Sequence, residues 1–186
     1  IEGVVTAGTG EIGSSGTLFV VQDPEGGPWS GIQVYNGGSF PDVAEGDHVW
    51  VLGTIDEYFN MTQMSINSAP HALVVASSNN TLPTPEVIST TDFATTSPST
   101  AEQWESVLIE FQNATVTDDN LGFGEWYFDD GSGDARADDY GSYGTPLNYT
   151  PTNGDVYDFL RGIGWYSYGD YKVVPRYEAD IQLSTP

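Results

Sequence analysis

The chain has 186 residues, of which 27 are acidic and four are basic, so its formal net charge is −23. This charge disfavours binding to nucleic-acid phosphates and to anionic membranes, because both would repel the chain. Hydrophobic residues make up 38% of the sequence, which is too much for a disordered acidic tail, and no apolar run is long enough to span a membrane.

The first half shows strand patterns separated by Gly, Asn, Asp and Pro, and helical periodicity is almost missing. In Asp47–Ile55, alternation predicts that Val49, Val51 and Ile55 point to one side of the strand. The residues predicted to point to the other side are His48, Trp50, Leu52 and Thr54. The predicted strands are Gly3–Ala7, Thr17–Gln22, Gly31–Tyr35, Asp47–Ile55, Met61–Ile66 and Ala72–Val75.

Residues 77–102 are rich in Ser, Thr and Pro, and we predict that they connect two domains. Within this connector, Ser99-Thr-Ala-Glu102 fits a capping box and predicts one short helix. After Ser106 the strand pattern restarts.

The second half repeats the first loosely. Residues 4–6 correspond to 114–117, residues 18–23 to 125–130, and residues 46–58 to 154–168. A repeat of roughly 110 residues fits two copies of one small β-domain. We therefore predict an all-β protein with two tandem OB-like Greek-key barrels of five to six strands, at residues 1–76 and 103–186.

Several runs carry a resemblance to a known class of protein. They are GVVTA, FVVQD, GIQVY and VAEGDHVWVLGTIDEYFNMTQM in the first half, with EQWESVLIEFQNATVT, GEWYFDD and YSYGDYKVVPRYEADI in the second. The chain resembles the tandem OB-fold modules of large secreted bacterial nucleases and of other extracellular surface proteins. The resemblance implies a fold and an extracellular setting, whereas the catalytic domains of those nucleases match nothing in this chain.

The sequence offers no catalytic constellation. His48 lies in an alternating strand and His71 follows a proline, and neither belongs to a recognisable triad or nucleophile motif. We predict that the chain is not an enzyme. Arg176 precedes Glu178 and Asp180, which favours a structural ion pair over a ligand contact.

An acidic stretch in the second half is the candidate metal site, with Ca²⁺ as the one candidate cofactor. Hard oxygen ligands on Gly-rich loops suit calcium. If Asp129 and Asp130 end one strand and Asp138 and Asp139 end the next, the two pairs could converge at one hairpin end. An acidic hairpin that binds no ion remains an equal alternative, because Ala135 and the following residues do not complete an EF-hand loop. The candidate ligands are Asp118, Asp119, Asp129, Asp130, Asp134, Asp138 and Asp139.

Aromatic residues are concentrated in the second half. Rings on an OB-type face could stack on sugars or bases, although most rings in small β-domains belong to the core. The candidates left open for ligand stacking are Tyr166, Tyr168 and Tyr171.

Four sequons fit the N-glycosylation pattern, at Asn60, Asn79, Asn113 and Asn148. Together with the scarcity of Lys, they favour an extracellular or cell-surface location. No signal peptide is visible and the chain opens on Ile1, so we expect a processed piece of a longer protein.

The sequence therefore predicts a non-catalytic extracellular structural or assembly module, such as a surface-filament subunit stabilised by calcium. Its expected partners are further copies of itself or other domains of a parent surface protein, because partly open barrels leave edges that pair with other chains. The alternative is an accessory module of a larger secreted nuclease or hydrolase that binds glycan or, against its charge, nucleic acid.

Overall fold

The computed structural model describes residues 1–13, 15–67, 70–140 and 147–185. Strands make up 47% of the chain and helices 7%, in two sheets, which confirms the predicted all-β class. No helix in these ranges is long and apolar enough to cross a membrane.

The described part of the first half forms seven strands. Their bounds agree with the predicted strands, except that the predicted strand Asp47–Ile55 is divided at Gly53. The strands are β1 (Glu2–Ala7), β2 (Leu18–Gln22), β3 (Gly31–Tyr35), β4 (His48–Leu52), β5 (Thr54–Tyr58), β6 (Met61–Ser65) and β7 (Ala72–Ser77).

The break at Gly53 corrects one predicted orientation. A Cβ atom at Gly53 would lie 2.7 Å from the carbonyl oxygen of Ser65, so only glycine permits this approach of the two strands. Val49 and Val51 are both buried, in agreement with their predicted common orientation, but Ile55 lies beyond the break and is 54% exposed. The alternation could not continue through the break, and the prediction for Ile55 was wrong.

The second half begins within the predicted connector. A two-residue strand, β8 (Glu86–Val87), is followed by a 3₁₀ turn (Thr90–Phe93), a single helical turn, α1 (Pro98–Ala101), and a further 3₁₀ turn (Glu102–Trp104). The strands that follow are β9 (Leu108–Gln112), β10 (Thr115–Gly122), β11 (Glu125–Asp129), β12 (Ala135–Asp138), β13 (Tyr157–Ser167), β14 (Asp170–Val174) and, after a 3₁₀ turn (Glu178–Asp180), β15 (Ile181–Leu183).

The short helix lies where the sequence predicted one, but the predicted capping box does not form its start. The helix begins at Pro98, so Ser99 lies inside it, and the amide of Ala101 donates to the carbonyl of Ser97 at 3.1 Å.

The first sheet has the strand order β5-β6-β3-β2-β1-β4-β7. β1, β2 and β3 form an antiparallel meander, β3 pairs in parallel with β6, β6 pairs with β5, and β4 pairs with β1. Only Gly53 separates β4 from β5, so the two strands form one bent segment. β5 pairs with β6 at one end of the path β5-β6-β3-β2-β1-β4, and β4 pairs with β1 at the other end. β7 pairs with β4 outside this path.

The second sheet has the order β10-β11-β12-β14-β13-β9-β8, and β15 pairs with β13. β10, β11 and β12 form the meander, β12 pairs in parallel with β14, β14 pairs with β13, and β13 pairs with β9. Here the bent segment is β9–β10, divided at Asn113 and Ala114. The order of pairings along the chain is therefore the same in both halves.

Three apolar clusters hold the molecule together. The first half is packed mainly with aliphatic side chains such as Val5, Val34 and Ile66, whereas the second is packed around aromatic rings such as Phe111 and Trp126. The third cluster joins the halves, and it contains Ala7, Ile12, Leu18, Val20, Met61, Leu108, Ile163, Trp165 and Val174. The two halves thus share a buried interface.

The predicted connector is divided between the two halves. Its first residue completes β7, whereas β8 pairs in parallel with β9 of the second sheet. Phe93 and Ala101 are fully buried in the second core. The strand β8 and the side chains of Phe93 and Ala101 therefore belong to the second half.

Candidate functional site

The loop after β11 uses two of the predicted calcium ligands as local hydrogen-bond acceptors. Asp129 Oδ1 accepts the amide of Gly131 at 2.6 Å. Asp130 Oδ1 accepts the hydroxyls of Thr90 at 2.7 Å and Ser132 at 2.6 Å. Burial raises the pKa of Asp130, but the hydrogen bonds from Ser132 and Thr90 outweigh burial and hold that pKa below its ordinary value.

The two aspartate pairs do not converge. β11 and β12 form an antiparallel hairpin in which Phe128 faces Ala135 and Glu125 faces Asp138. Asp129 and its neighbour therefore lie at the turn, and Asp138 lies at the opposite end. The expectation of one shared hairpin end was wrong, because consecutive antiparallel strands end at opposite ends of their hairpin.

The remaining aspartates bind different partners. Asp138 is buried and accepts Lys172 Nζ at 3.0 Å. Burial and the charge of Glu125 raise the pKa of Asp139. Asp134 accepts the Thr117 hydroxyl at 2.7 Å, Asp118 accepts the Asn120 amide at 3.1 Å, and Asp119 accepts the Asn153 amide at 3.0 Å. Within the described ranges, no group of three or more His, Asp or Glu side chains is placed to hold a metal ion.

All four basic residues of the chain are ion-paired. Arg136 Nη1 lies 2.7 Å from carboxylate oxygens of both Glu125 and Asp170. Arg161 lies 2.6 Å from Glu110. Both guanidinium groups are therefore neutralised by carboxylates of the second half.

The two other cations are almost fully buried. Lys172 contacts Glu125 and Asp138. Burial lowers the pKa of Lys172, but its two carboxylate partners more than offset that effect and raise it. Arg176 pairs with Asp180 at 2.8 Å, which confirms the local pair predicted from the sequence.

Arg176 also links the two halves. Its Nη1 donates to the carbonyl of Thr6 at 2.8 Å and lies 2.9 Å from Glu45 Oε2. Arg176 is thus shared between both halves, and among the described residues it is the only Lys or Arg side chain paired with a carboxylate of the first half.

The three stacking candidates lie in different environments. Tyr171 is buried in the second core, and the half-buried ring of Tyr166 packs on it with centroids 4.8 Å apart. Tyr168 is almost fully exposed at the β13–β14 turn, where its φ is 54°. Of the three, Tyr168 alone presents a largely exposed ring, and Lys172 Nζ lies 5.8 Å from the centre of that ring.

The four sequon asparagines are all exposed. Asn60, Asn79 and Asn113 have φ between 54° and 64°, in the left-handed region that asparagine tolerates. The fourth sequon begins at Asn148, whose amide donates to Glu178.

An exposed apolar face lies on the first sheet, at β4 and β7. Trp50 is 52% exposed, Leu52 60% and Val74 48%, although each belongs to a regular strand. Trp50 faces Val74 across the strand pair, and Leu52 faces Ala72. The sequence predicted that Trp50 and Leu52 point to the side opposite Val49 and Val51. Apolar residues on both faces of one strand are the signal that could have revealed this surface.

β7 lies at the end of its sheet path. Among the described strands, β4 is the one that pairs with it. The sequence from Tyr58 to Pro85 contains no Asp, Glu, Lys or Arg, so β7 carries neither the charges nor the internal proline that usually protect an edge strand. We call the side chains of Trp50, Leu52 and Val74, together with the free edge of β7, the β4–β7 surface.

Comparisons with protein-family models, with curated proteins and with solved structures found no match for the chain. Its function is therefore inferred from its own surfaces.

Proposed function

We propose that this chain is a non-catalytic structural module that assembles with further copies of itself through the β4–β7 surface. The observation that supports this proposal is an apolar, charge-free edge on a chain with a net charge of −23. Copies of so acidic a chain repel each other over most of their surface. They can approach along β7, which carries no carboxylate, and burying Trp50, Leu52 and Val74 then stabilises the contact.

Backbone pairing would give this contact its direction. An open strand edge offers unpaired amides and carbonyls that a second strand satisfies. Antiparallel pairing of two β7 strands gives a dimer with two-fold symmetry, whereas a filament needs a further, non-equivalent contact. For the filament subunit predicted from the sequence, we propose the β5–β6 hairpin, where Tyr58 and Phe59 are exposed with ring centroids 4.7 Å apart.

We also propose that each half is an OB-like barrel. The support is the shared pairing order: a three-stranded meander, a parallel pair between the third and last strands of the barrel, and a bent segment at both ends of the path. A five-stranded Greek-key barrel of the OB type has these features.

An extracellular location, glycosylation and stabilisation by calcium stay predictions. The exposure of Asn60, Asn79, Asn113 and Asn148 supports glycosylation, because a transferred glycan needs an accessible acceptor. Mass measurement of peptides from native material, cut by an Asp- or Glu-directed protease, tests it.

A second candidate function is an accessory binding module of a larger secreted protein. Phe123 and Tyr168 favour it, because both rings are almost fully exposed at hairpin turns, with φ of 58° and 54°. Such turn positions prefer Asn or Gly, so an aromatic residue there carries a conformational cost. Glycan fits better than nucleic acid, because every basic residue is ion-paired. Loss of glycan retention in Phe123→Ala and Tyr168→Ala would support this role.

Light scattering after size-exclusion chromatography tests the assembly proposal. Val74→Lys places a charge in the middle of β7, so we expect wild-type oligomers to become monomers. Val87→Lys is the matched control, because Val87 is an exposed valine on another strand, β8 (57% exposed, against 48% for Val74). A wild-type chain that remains monomeric at high concentration, or oligomers that survive Val74→Lys, would contradict the proposal.

A further inference from the structure

A cleft of about 390 Å³ opens at the junction of the two halves. One wall is formed by β2, β3 and the loop between them, including Asp23 and Trp29, and the other includes Glu102, Glu105 and Ser106. The walls are in close contact at the base, since a Cβ atom at Gly31 would lie 1.9 Å from the carbonyl oxygen of Ser106. The cleft exists only because the two halves are docked.

The cleft is strongly acidic. Glu2, Asp23, Glu102 and Glu105 line it, and no Lys or Arg side chain is among the described residues that do. Ile1 also lines it, and its amino group donates to the carbonyl of Val51 at 2.8 Å. Anionic ligands are therefore repelled from this position.

Glu105 is the buried carboxyl group of the cleft. Burial raises its pKa to about 7, and the charges of Glu102 and Glu57 add to the effect, against a hydrogen bond from the Thr62 amide. The Thr62 contact is long, at 3.4 Å. The ionised form of Glu105 is thus poorly stabilised by the protein, and a positive charge in the cleft would relieve this.

Trp29 provides a ring at the edge of the cleft. It is 66% exposed although its backbone is fixed, with its amide donating to the carbonyl of Gln103 at 2.7 Å. Its φ is 64°, a conformation that a bulky residue adopts at a cost. Such strain is retained where the surrounding structure imposes it, and here it keeps an indole ring in the lining of a cleft that also contains four carboxyl groups.

Ser106 adds an unused polar group. It is 1% exposed, its φ is 60°, and its hydroxyl has no hydrogen-bond partner among the described residues. A buried hydroxyl without a partner is unusual, and a ligand that donates a hydrogen bond would satisfy it after a small adjustment.

We propose that this cleft binds an alkylammonium group, with the Trp29 ring packed against the cation and Glu105 as its counter-charge. An ammonium group supplies the positive charge that the side chains lining the cleft lack and hydrogen-bond donors for its carboxylates, and cations bind favourably over a tryptophan face. The group belongs to a lysine side chain of another protein or to a free polyamine. A second copy of this chain is a poor source, because its one lysine is buried in an ion pair.

Calorimetric titration with three probes tests the site. The probes are lysine capped at both ends, the same molecule with its side-chain amine acetylated, and spermidine, each in about 150 mM salt to screen diffuse attraction. At pH 8 we expect capped lysine or spermidine to bind, and acetylation to weaken binding at least about tenfold, because it removes the charge. Tighter binding of capped lysine than of spermidine identifies a protein side chain as the source, and the reverse identifies a polyamine.

Two variants locate the binding. Glu105→Gln should weaken cation binding about tenfold at pH 8 and much less at pH 6, where Glu105 is mostly protonated in the wild-type chain. Trp29→Ala should weaken it about threefold through loss of the cation–π contact. Asp42→Asn removes an exposed carboxylate elsewhere, and it should bind as the wild type does.

Three outcomes would overturn the site. They are the absence of binding of both cationic probes, equal binding of the acetylated and unmodified lysines, and an equal loss in Asp42→Asn and Glu105→Gln. The last result would show diffuse attraction to an acidic surface.

Discussion

The two halves share one order of strand pairing but treat charge in opposite ways. The second half contains every basic residue and places each against carboxylates, so Lys172 and Arg176 are buried within it. The first half has no Lys or Arg, and its charge-free run from Tyr58 to Pro85 contains β6 and β7. One half therefore neutralises its acidity internally, and the other leaves an apolar surface where acidity is missing.

This difference separates stability from association. Internal ion pairs fix the second half but leave no cation free to attract a partner. The β4–β7 surface is apolar and lacks carboxylates in its edge strand, which is what two acidic copies need in order to meet. Three changes test this difference between the halves: removing a buried cation, weakening the contact between the halves, and changing the protonation of Glu105 at their junction.

The largest effect is expected from Lys172→Met. Glu125 and Asp138 would lose a buried cation, and leaving buried carboxylates without their partner costs roughly 3–5 kcal/mol. Urea unfolding measures this loss. Adding Asp138→Asn should restore part of the stability, because it removes one of the uncompensated charges. If Lys172→Met alone is as stable as the wild type, the ion pairs of Lys172 with Glu125 and Asp138 contribute nothing to stability.

Gly31→Ala should destabilise the junction by about 1–3 kcal/mol, because the new Cβ would overlap the Ser106 carbonyl oxygen, which lies 1.9 Å away. Gly164→Ala is the matched change inside the second half, where the new Cβ would meet the Trp104 carbonyl oxygen at 2.0 Å. Calorimetry should resolve two transitions for Gly31→Ala and a single, lower one for Gly164→Ala. Identical single transitions for both variants would argue against a separable junction.

The junction should also depend on pH. Because the pKa of Glu105 is raised from 4.5 to about 7 in the folded chain, the folded state binds more protons than the unfolded state between these values. The free energy of unfolding should therefore fall as pH rises from 5 to 8, by about 1–2 kcal/mol after allowance for solvent screening.

Urea unfolding of Glu105→Gln at both pH values isolates this contribution from the general repulsion of a charged chain. The variant should lose less stability than the wild type, whereas Asp42→Asn should lose as much as the wild type. Equal losses for the wild type and Glu105→Gln would contradict the pKa shift.

The smallest effect concerns calcium. If calcium stabilises the chain, EDTA lowers the melting temperature by about 3 °C, equivalent to about 1 kcal/mol. The double change Asp129→Asn and Asp130→Asn should abolish that difference. An unchanged melting temperature in EDTA would contradict the calcium hypothesis. The acidic loop would then be explained by the hydrogen bonds of Thr90 and Ser132 to Asp130 alone.

Much of the fold could be predicted from the sequence because strand alternation and turn residues are local signals. The predicted strands of the first half are confirmed, and the segments matched across the internal repeat lie in equivalent places, with β1, β2 and β4–β5 corresponding to β9–β10, β11 and β13. The break at Gly53 could not be predicted, because it depends on the close approach of Ser65 from another strand.

The sites were less predictable because they depend on pairing between distant residues. The ion pair of Arg176 with Asp180 is local and was predicted, whereas its contact with Glu45 is not local. Glu105 gave no signal in the sequence, since its burial results from docking of the halves. Trp50 did give a signal, as an apolar residue on the outer face of an alternating strand.

Hydrogen exchange of backbone amides at several protein concentrations tests the central claim most directly. If copies associate through the β4–β7 surface, amides of β7 (Ala72–Ser77) should exchange more slowly as concentration rises, while those of the edge strand β15 (Ile181–Leu183) should not change. Exchange in β7 that is independent of concentration, in a sample where oligomers are present, would show that the contact lies elsewhere.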